Sequence, residues 1–356
     1  MNAAANHGRC SLMPASPLMN RILRLLLFVV LAAIAFRLLS FWMTSSALHV
    51  PISAFPRPEL RVSNGSRFEH TFPKLIHVMW KNNNSPPPET TRWQSGCQVL
   101  NEDMEVRRYN DDELLRFVTK EYPEYLPLFS KLRGVHMADM ARVLVTYHFG
   151  GLYMDLDFYC VRPFRCLSQF LPDEIGPSDH ILLVPLETRM HSTVFRDKER
   201  VVIQDFFFAT PKHPFFKFLL DDRMAAYNKD PEHHAKGPFG YHIEEDIDKF
   251  WNSVNKSPSE GGRKVFIVEL RDDVLHALAD GTHSKLRVVC YSGKVTAVSE
   301  ASCSHFRRGE LFQPSRNTVA VHMWFHTYLG WHLFRGLRNQ ATYSLVERSL
   351  PQTPQC

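Results

Sequence analysis

The stretch HMADMARVLVTYHFGGLYMDLDFYCVRPF constrains this chain more than any other. Met137, Met140, Ala141, Leu144 and His148 recur at three- and four-residue spacing, which predicts a helix over 135–149. Gly150 or Gly151 supplies its stop. An apolar strand follows and ends on Asp155-Leu156-Asp157. Alternate side chains of an extended strand face the same way, so the two carboxylates are expected to point together while Leu156 packs behind. Two carboxylates converging at a strand end make a hard-oxygen site for Mn²⁺ or Mg²⁺, with room left for phosphate oxygens. A solvated turn could carry the same three residues, but it would not be embedded in so much apolar sequence.

The flanking segments alternate strand and helix. Strands are expected at 74–80 and 104–109, with a helix around 89–100 behind the prolines at 86, 87 and 88. Asn110 or Asp111 caps a helix through 120, with Asp112 and Glu113 in its favourable first turn. Further strands are expected at 181–186, 201–209, 264–270, 287–291 and 319–324, with helices at 213–226 and 272–278. Such alternation predicts an α/β domain with a largely parallel sheet. Hydrophobic content of 44% and charged content of 22% suit a globular chain. The net charge of +5 is scattered with no basic tract, which argues against nucleic acid as a partner.

The N-terminus reads differently. Arg21 and Arg24 precede an apolar run that Arg37 interrupts and that resumes at 38–43. A signal anchor over 22–43 has about the 20 residues that a bilayer core demands; a cleaved signal peptide ending near Ser46-Ala47 is the other reading. With an anchor, residues 1–21 are a cytosolic tail, 44–71 with Pro51, Pro56 and Pro58 a stem, and 72–350 the catalytic domain. That domain would be lumenal. Sequons at Asn64, Asn83 and Asn255 suit such a compartment, Asn64 best because Pro follows the other two. Six cysteines lie beyond the anchor: Cys97, Cys160, Cys166, Cys290, Cys303 and Cys356. An even set is compatible with disulfides or with six buried thiols, and no spacing reads as a zinc site.

The segments KLIHVMWK, EYPEYLPLF, ADMARVLVTYHFGGLYMDLD and ATPKHPFF, in that order, resemble the DxD-containing sugar transferases of glycosyltransferase family 32. Within the family the chain looks most like inositol phosphorylceramide mannosyltransferases. The likeness is dense from about 73 to 164, moderate over 201–220, and thin after 221 apart from AVHMW at 320–324. It implies a GT-A fold (Rossmann-like, mostly parallel, flanked by helices), a nucleotide-sugar donor, Mn²⁺ or Mg²⁺, and retention of anomeric configuration. The implied donor is GDP-mannose and the acceptor a glycolipid such as inositol phosphorylceramide, or a glycan. UDP-galactose or UDP-N-acetylglucosamine is the alternative donor, and an inactive membrane-tethered sugar-binding subunit the alternative class. A lumenal metal-dependent phosphohydrolase leaves Trp80, Asp139 and Arg142 without a role. The implied location is the Golgi or endoplasmic reticulum membrane, single-pass type II.

Residue by residue, the resemblance places Trp80 on the donor base and Asp139 and Arg142 on sugar or ribose hydroxyls or phosphate. Tyr153 packs under the donor or fills core. Asp155 touches ribose or the metal's water shell, Asp157 ligates the metal directly, and His322 completes the shell. Arg142 and Asp205 are the implied catalytic pair, Arg142 as a second cation beside the leaving group and Asp205 for acceptor contact or for shielding an oxocarbenium-like centre. Gln204-Asp205 stands where relatives show Asn-Asp, and Lys236 replaces a Thr before Gly237-Pro238. Acceptor recognition is expected from 205 to 241 and near Trp324.

Overall fold

A computed structural model describes residues 72–81, 86–234, 239–240, 242–254, 259–260, 262–325 and 342–356. The expected anchor, stem, sequons and Gly237-Pro238 element lie outside the described residues. No helix among the described residues is long and apolar enough to cross a membrane.

Among the described residues, seven strands form the central sheet, in the order β2-β1-β3-β6-β5-β8-β7. They are β1 (Leu75–Met79), β2 (Glu105–Tyr109), β3 (Gly151–Met154), β5 (His180–Pro185), β6 (Phe206–Ala209), β7 (Ser259–Glu260) and β8 (Arg263–Leu270). β1, β2 and β3 run together, as do β5 and β8, while β6 runs against both of its neighbours. The sheet is thus mostly parallel, with β6 reversed near its centre and β7 reversed at its edge.

Both faces of the sheet are buried, and successive residues serve opposite cores. Tyr153 and Phe207 join one core; Leu152, Met154, Phe206 and Phe208 join the other. That period of two, apolar on both sides, is what a sheet covered by helices requires.

Helix α1 (Pro88–Leu100) opens on a proline at its first position, where the missing N–H costs nothing. In α2 (Asp111–Glu121) Asn110 and Glu113 form a reciprocal capping box. Helix α3 (Val135–Phe149) is buried almost all round its middle, including Asp139 and Arg142, and packs on β1, β3 and β6. It stops at Gly150 (φ +64°) and Gly151 (φ +84°). A Cβ on Gly151 would lie 2.8 Å from the Leu75 carbonyl oxygen, so only glycine lets β3 start beside β1. His77 fixes this corner: Nε2 donates to Gly150 O at 2.8 Å, leaving Nδ1 to accept from the Tyr109 hydroxyl at 2.9 Å.

Several expectations change. The 201–209 strand narrows to β6 because Val202 and Ile203 make isolated bridges to Leu186 and His242. The 287–291 segment, rich in β-branched residues, is not a strand but part of a helix, Ser284–Ser292. Its Leu286 and Cys290, four apart, are buried while Val288 and Tyr291 face solvent, and Gly293 ends it. The 272–278 helix stops at Leu275. The 319–324 strand shortens to β9 (Ala320–His322) and leaves the central sheet, pairing antiparallel with β4 (Phe158–Cys160).

All six cysteines beyond residue 43 are paired, as Cys97–Cys160, Cys166–Cys356 and Cys290–Cys303. Residues past 350 belong to the fold, since Thr353 N donates to Val161 O and Gln352 Nε2 to Cys160 O.

Candidate active site

A cavity of about 390 Å³ opens at the carboxyl ends of β1 and β3, where ligands bind in sheets of this kind. Trp80, one residue past β1, lines it, and its indole N–H is buried without a partner among the described residues. Asp111 at the start of α2 lines the same end.

β3 stops at Met154, so the two aspartates do not share a strand face as the alternation predicted. The Asp155 amide donates to Asp205 O at 2.9 Å, and a turn then carries the chain into β4. The turn still brings the carboxylates together, and β9 adds His322. Asp155, Asp157 and His322 each offer one ligand atom, all within 4.8 Å of one another. Register explains the convergence: Phe158, next to Asp157, pairs with His322.

Arg142 reaches this cluster from α3. Its guanidinium donates to Gln204 O (2.7 Å), pairs with Asp139 (3.0 Å) and Asp155 (3.5 Å), and lies 5.0 Å above the Tyr153 ring. The Tyr153 hydroxyl donates to Asp155 Oδ1. Behind them, Asp205 is fully buried between two histidines, 2.9 Å from His276 Nε2 and 3.3 Å from His322 Nδ1. His322 Nε2 in turn meets Asp157 at 3.1 Å, and Phe325 N–H donates to the other Asp157 oxygen at 2.8 Å.

Burial pushes the Asp155 carboxyl up to about 6, with Arg142 opposing it and Asp157 adding to it. Burial would lower His322, but Asp157 and Asp205 on either side carry it up to about 10. Asp205 meets the same burial penalty, which His276 and His322 more than offset, so its carboxyl lies below the ordinary value. Four carboxylates, Asp139, Asp155, Asp157 and Asp205, thus face one guanidinium and two imidazoles. Two carboxylates and an imidazole are a donor set that suits Mn²⁺, and the surplus of negative charge favours a divalent cation, which would displace the His322 proton. The residues fit the metal.

The family model described as glycosyltransferase sugar-binding region containing DXD motif matches residues 72–182. The chain is 29% identical over 176 residues to inositol phosphoceramide mannosyltransferase 2 of Schizosaccharomyces pombe, covering 49% of this chain and 45% of that protein. It is 28% identical over 148 residues to the Saccharomyces cerevisiae mannosyl phosphorylinositol ceramide synthase SUR1, covering 40% and 32%. Uncharacterized glycosyltransferase L373 of Acanthamoeba polyphaga mimivirus is 30% identical over 159 residues, covering 44% and 57%. The chain spans less than half the length of the two fission-yeast mannosyltransferases matched first. Among solved structures, PaToxG glycosyltransferase aligns at 12% identity with a TM-score of 0.36, over 65% of this chain and 79% of that one.

Of the residues expected in the glycosyltransferase site, Trp80, Arg142, Tyr153, Asp155, Asp157, His322 and Trp324 line the cavity. Asp139 and Asp205 do not. Asp139 holds Arg142, and Asp205 holds His322, so both act through residues that do reach the cavity. Sequence reasoning missed His276, which only the fold brings to Asp205, and Glu187 with His191. The last pair left no local signal, because Glu187 precedes the helix Arg189–Arg196 that carries His191.

Proposed function

We propose that this chain transfers a sugar, mannose from GDP-mannose foremost, to a hydroxyl of a glycolipid or glycan, with a divalent metal and with retention of configuration. One observation carries the reading: a single cavity joins an aromatic residue with an unpartnered indole N–H, Trp80, to the convergent Asp155, Asp157 and His322. Asp155, Asp157 and His322 would hold the metal, which when bound supplies positive charge to the departing diphosphate. Trp80 would stack on the donor base and Arg142 would keep Asp155 turned toward the cavity. His276 and Asp205 would orient His322 from behind. The acceptor hydroxyl would enter on the side of Trp324 and attack the face from which the nucleotide leaves.

The activities for which these relatives are named support mannose, and UDP-galactose or UDP-N-acetylglucosamine is the second choice of donor. An inactive sugar-binding subunit is disfavoured, because both aspartates of the motif and Arg142 are present and mutually positioned. We further place the protein in the Golgi or endoplasmic reticulum membrane through residues 22–43, with the rest lumenal. Three disulfides that use every cysteine beyond that segment support an oxidising compartment.

Incubating the full chain with Mn²⁺ and a panel of nucleotide sugars tests the activity. Metal-dependent release of a nucleoside diphosphate from one donor is expected, reduced by Trp80→Ala; binding without turnover of any donor would favour the inactive subunit. A glycosidase-sensitive mobility shift lost in Asn64→Gln would support lumenal topology, and protease attack on 44–356 in sealed vesicles would refute it.

A further inference from the structure

The cavity does not end at the metal cluster. Beyond His322 its wall is built from Glu187, His191, Phe195, Asp280, His283 and Trp324. The chemistry of this wall is distinct from that of the donor end. Lys81 and Arg142 line the donor end, whereas among the described residues no lysine or arginine lines this one. Among the described residues, Arg196 and Lys285 touch lining residues from outside and point to protein partners: Arg196 donates to His242 Nδ1, and Lys285 Nζ donates to Phe195 O.

Glu187 is the residue aimed at a ligand. It is 6% exposed, yet it lines the cavity. Its polar contacts all fall on Oε1, which accepts from Thr188 N–H at 2.9 Å and lies 3.3 Å from His191 Nδ1. Because His191 Nε2 accepts from the Asp280 N–H at 3.0 Å, the ring proton sits on Nδ1 and donates to Glu187. Oε2 meets no partner among the described residues. The Glu187 side chain is 5% exposed and what surface it keeps opens on the cavity, so a ligand's donor can reach this oxygen there, and an ionised carboxylate only accepts.

Aromatic rings frame this oxygen. Phe195 stacks on His191 with centroids 4.9 Å apart, and Trp324 meets the same ring edge-on at 4.7 Å. Trp324 is held at φ +53°, a left-handed conformation that a bulky residue rarely adopts, and its indole N–H is tied to Leu278 O at 2.6 Å. Such strain is retained where the surroundings impose it, typically at ligand-binding positions.

We infer that this wall is the acceptor subsite and that it selects an uncharged polyhydroxyl group, such as a terminal neutral sugar, over a headgroup that presents a phosphate there. Sugar hydroxyls donate to Glu187 Oε2 and Asp280 while the apolar face of the ring rests on Phe195 and Trp324. A phosphate held at Glu187 and Asp280 would face two carboxylates, while among the described residues the lining cations next to the metal cluster, Arg142 and His322, are already engaged by Asp139, Asp155, Asp157 and Asp205, and like-charge juxtaposition of this kind disfavours a ligand. The inference rests on the transferase reading and narrows its acceptor away from the inositol phosphoceramide for which the fission-yeast relatives are named.

The test uses the full chain in detergent, Mn²⁺, and whichever nucleotide sugar it turns over. Transfer is measured to octyl α-mannoside, which is neutral, and to a ceramide bearing phosphoinositol, which is anionic. The expected ratio of kcat/KM, neutral over anionic, is at least about tenfold. Glu187→Gln and, separately, Asp280→Asn should each lower that ratio, because each removes an acceptor for hydroxyls and relieves the repulsion of phosphate. Damage to the fold alone would depress both acceptors together and leave the ratio standing. A ratio near or below one in the parental protein, or a ratio unmoved in both variants, overturns the inference. Donor turnover that neither acceptor converts into transfer overturns it as well. Failure of every nucleotide sugar to be turned over instead refutes the transferase reading on which it rests.

Discussion

His322 Nε2 lies 3.1 Å from Asp157 Oδ1, although 165 residues separate them in the chain. The contact exists because β9 pairs antiparallel with β4 and sets His322 opposite Phe158. It ties the last strand among the described residues to the motif that the first half of the chain supplies. The same pairing lets one imidazole face Asp157 with one nitrogen and Asp205 with the other.

Asp157→Ala and His322→Ala should therefore behave alike toward metal. In the parental protein Mn²⁺ binding is expected to raise the thermal midpoint, since a ligand that binds only the folded state stabilises it by mass action. Either substitution should abolish most of that rise and most of the turnover, and Asp157→Asn should do nearly the same because the charge is lost. A parental-size midpoint shift in Asp157→Ala would remove Asp157 from the metal site.

Arg142→Ala should destabilise the fold by about 3–5 kcal/mol, the usual cost of leaving a buried partner uncompensated. Arg142 is 3% exposed, and its loss strands the carboxylates of Asp139 and Asp155 and the Gln204 carbonyl. Arg142→Lys keeps the charge but not the planar fork, so it should recover only part of the loss. Denaturant unfolding of the three proteins measures this; a loss below about 1 kcal/mol for Arg142→Ala, the scale of a surface pair, would show that the pairing carries little.

Acid should unfold the protein partly through His77. Burial lowers its folded pKa from 6.5 to about 4, with the hydrogen bond to Gly150 opposing. The unfolded chain binds the proton more readily, so the stability held above about pH 6.5 is lost as pH falls toward 4 and the loss levels off below that. The shift corresponds to roughly 3 kcal/mol. His213, lowered by burial to about 3, adds to the same trend. Comparing unfolding at pH 7 and pH 4.5 in parental and His77→Gln proteins isolates the His77 share: the variant should be less stable at pH 7 and lose less on acidification. An equal loss in both would exclude His77 as a source of acid lability.

The disulfides should not be equivalent. Cys166–Cys356 closes a separation of 190 residues and Cys290–Cys303 one of 13. Loop-closure entropy assigns about 5 kcal/mol to the first and about 3 kcal/mol to the second. Unfolding midpoints of the double Cys→Ser variants should fall in that order, and the reverse order would mean that native contacts rather than chain entropy decide the effect.

The helix over 135–149, its glycine stop, the first two strands and the Asn110 cap were legible because each is written in local periodicity and capping chemistry. The aspartate pair at 155 and 157, within the residues that the glycosyltransferase family model matches, was equally plain. Reading 287–291 as a strand failed for a physical reason: β-branched residues favour strands only weakly, and here Leu286 and Cys290 gain burial four residues apart on a helix.

What the sequence by itself determined is therefore the kind of layer built at each stretch and the presence of Asp155, Asp157 and Arg142 near a strand end. Tertiary structure alone decided how they meet. The aspartates converge through a turn instead of a strand, β9 leaves the main sheet to deliver His322, and His276 closes on Asp205 from 71 residues away. Local patterning sets which way a residue faces on its own element. Which residues of distant elements come within hydrogen-bonding reach depends on strand order and register, and those are fixed only when the two cores pack.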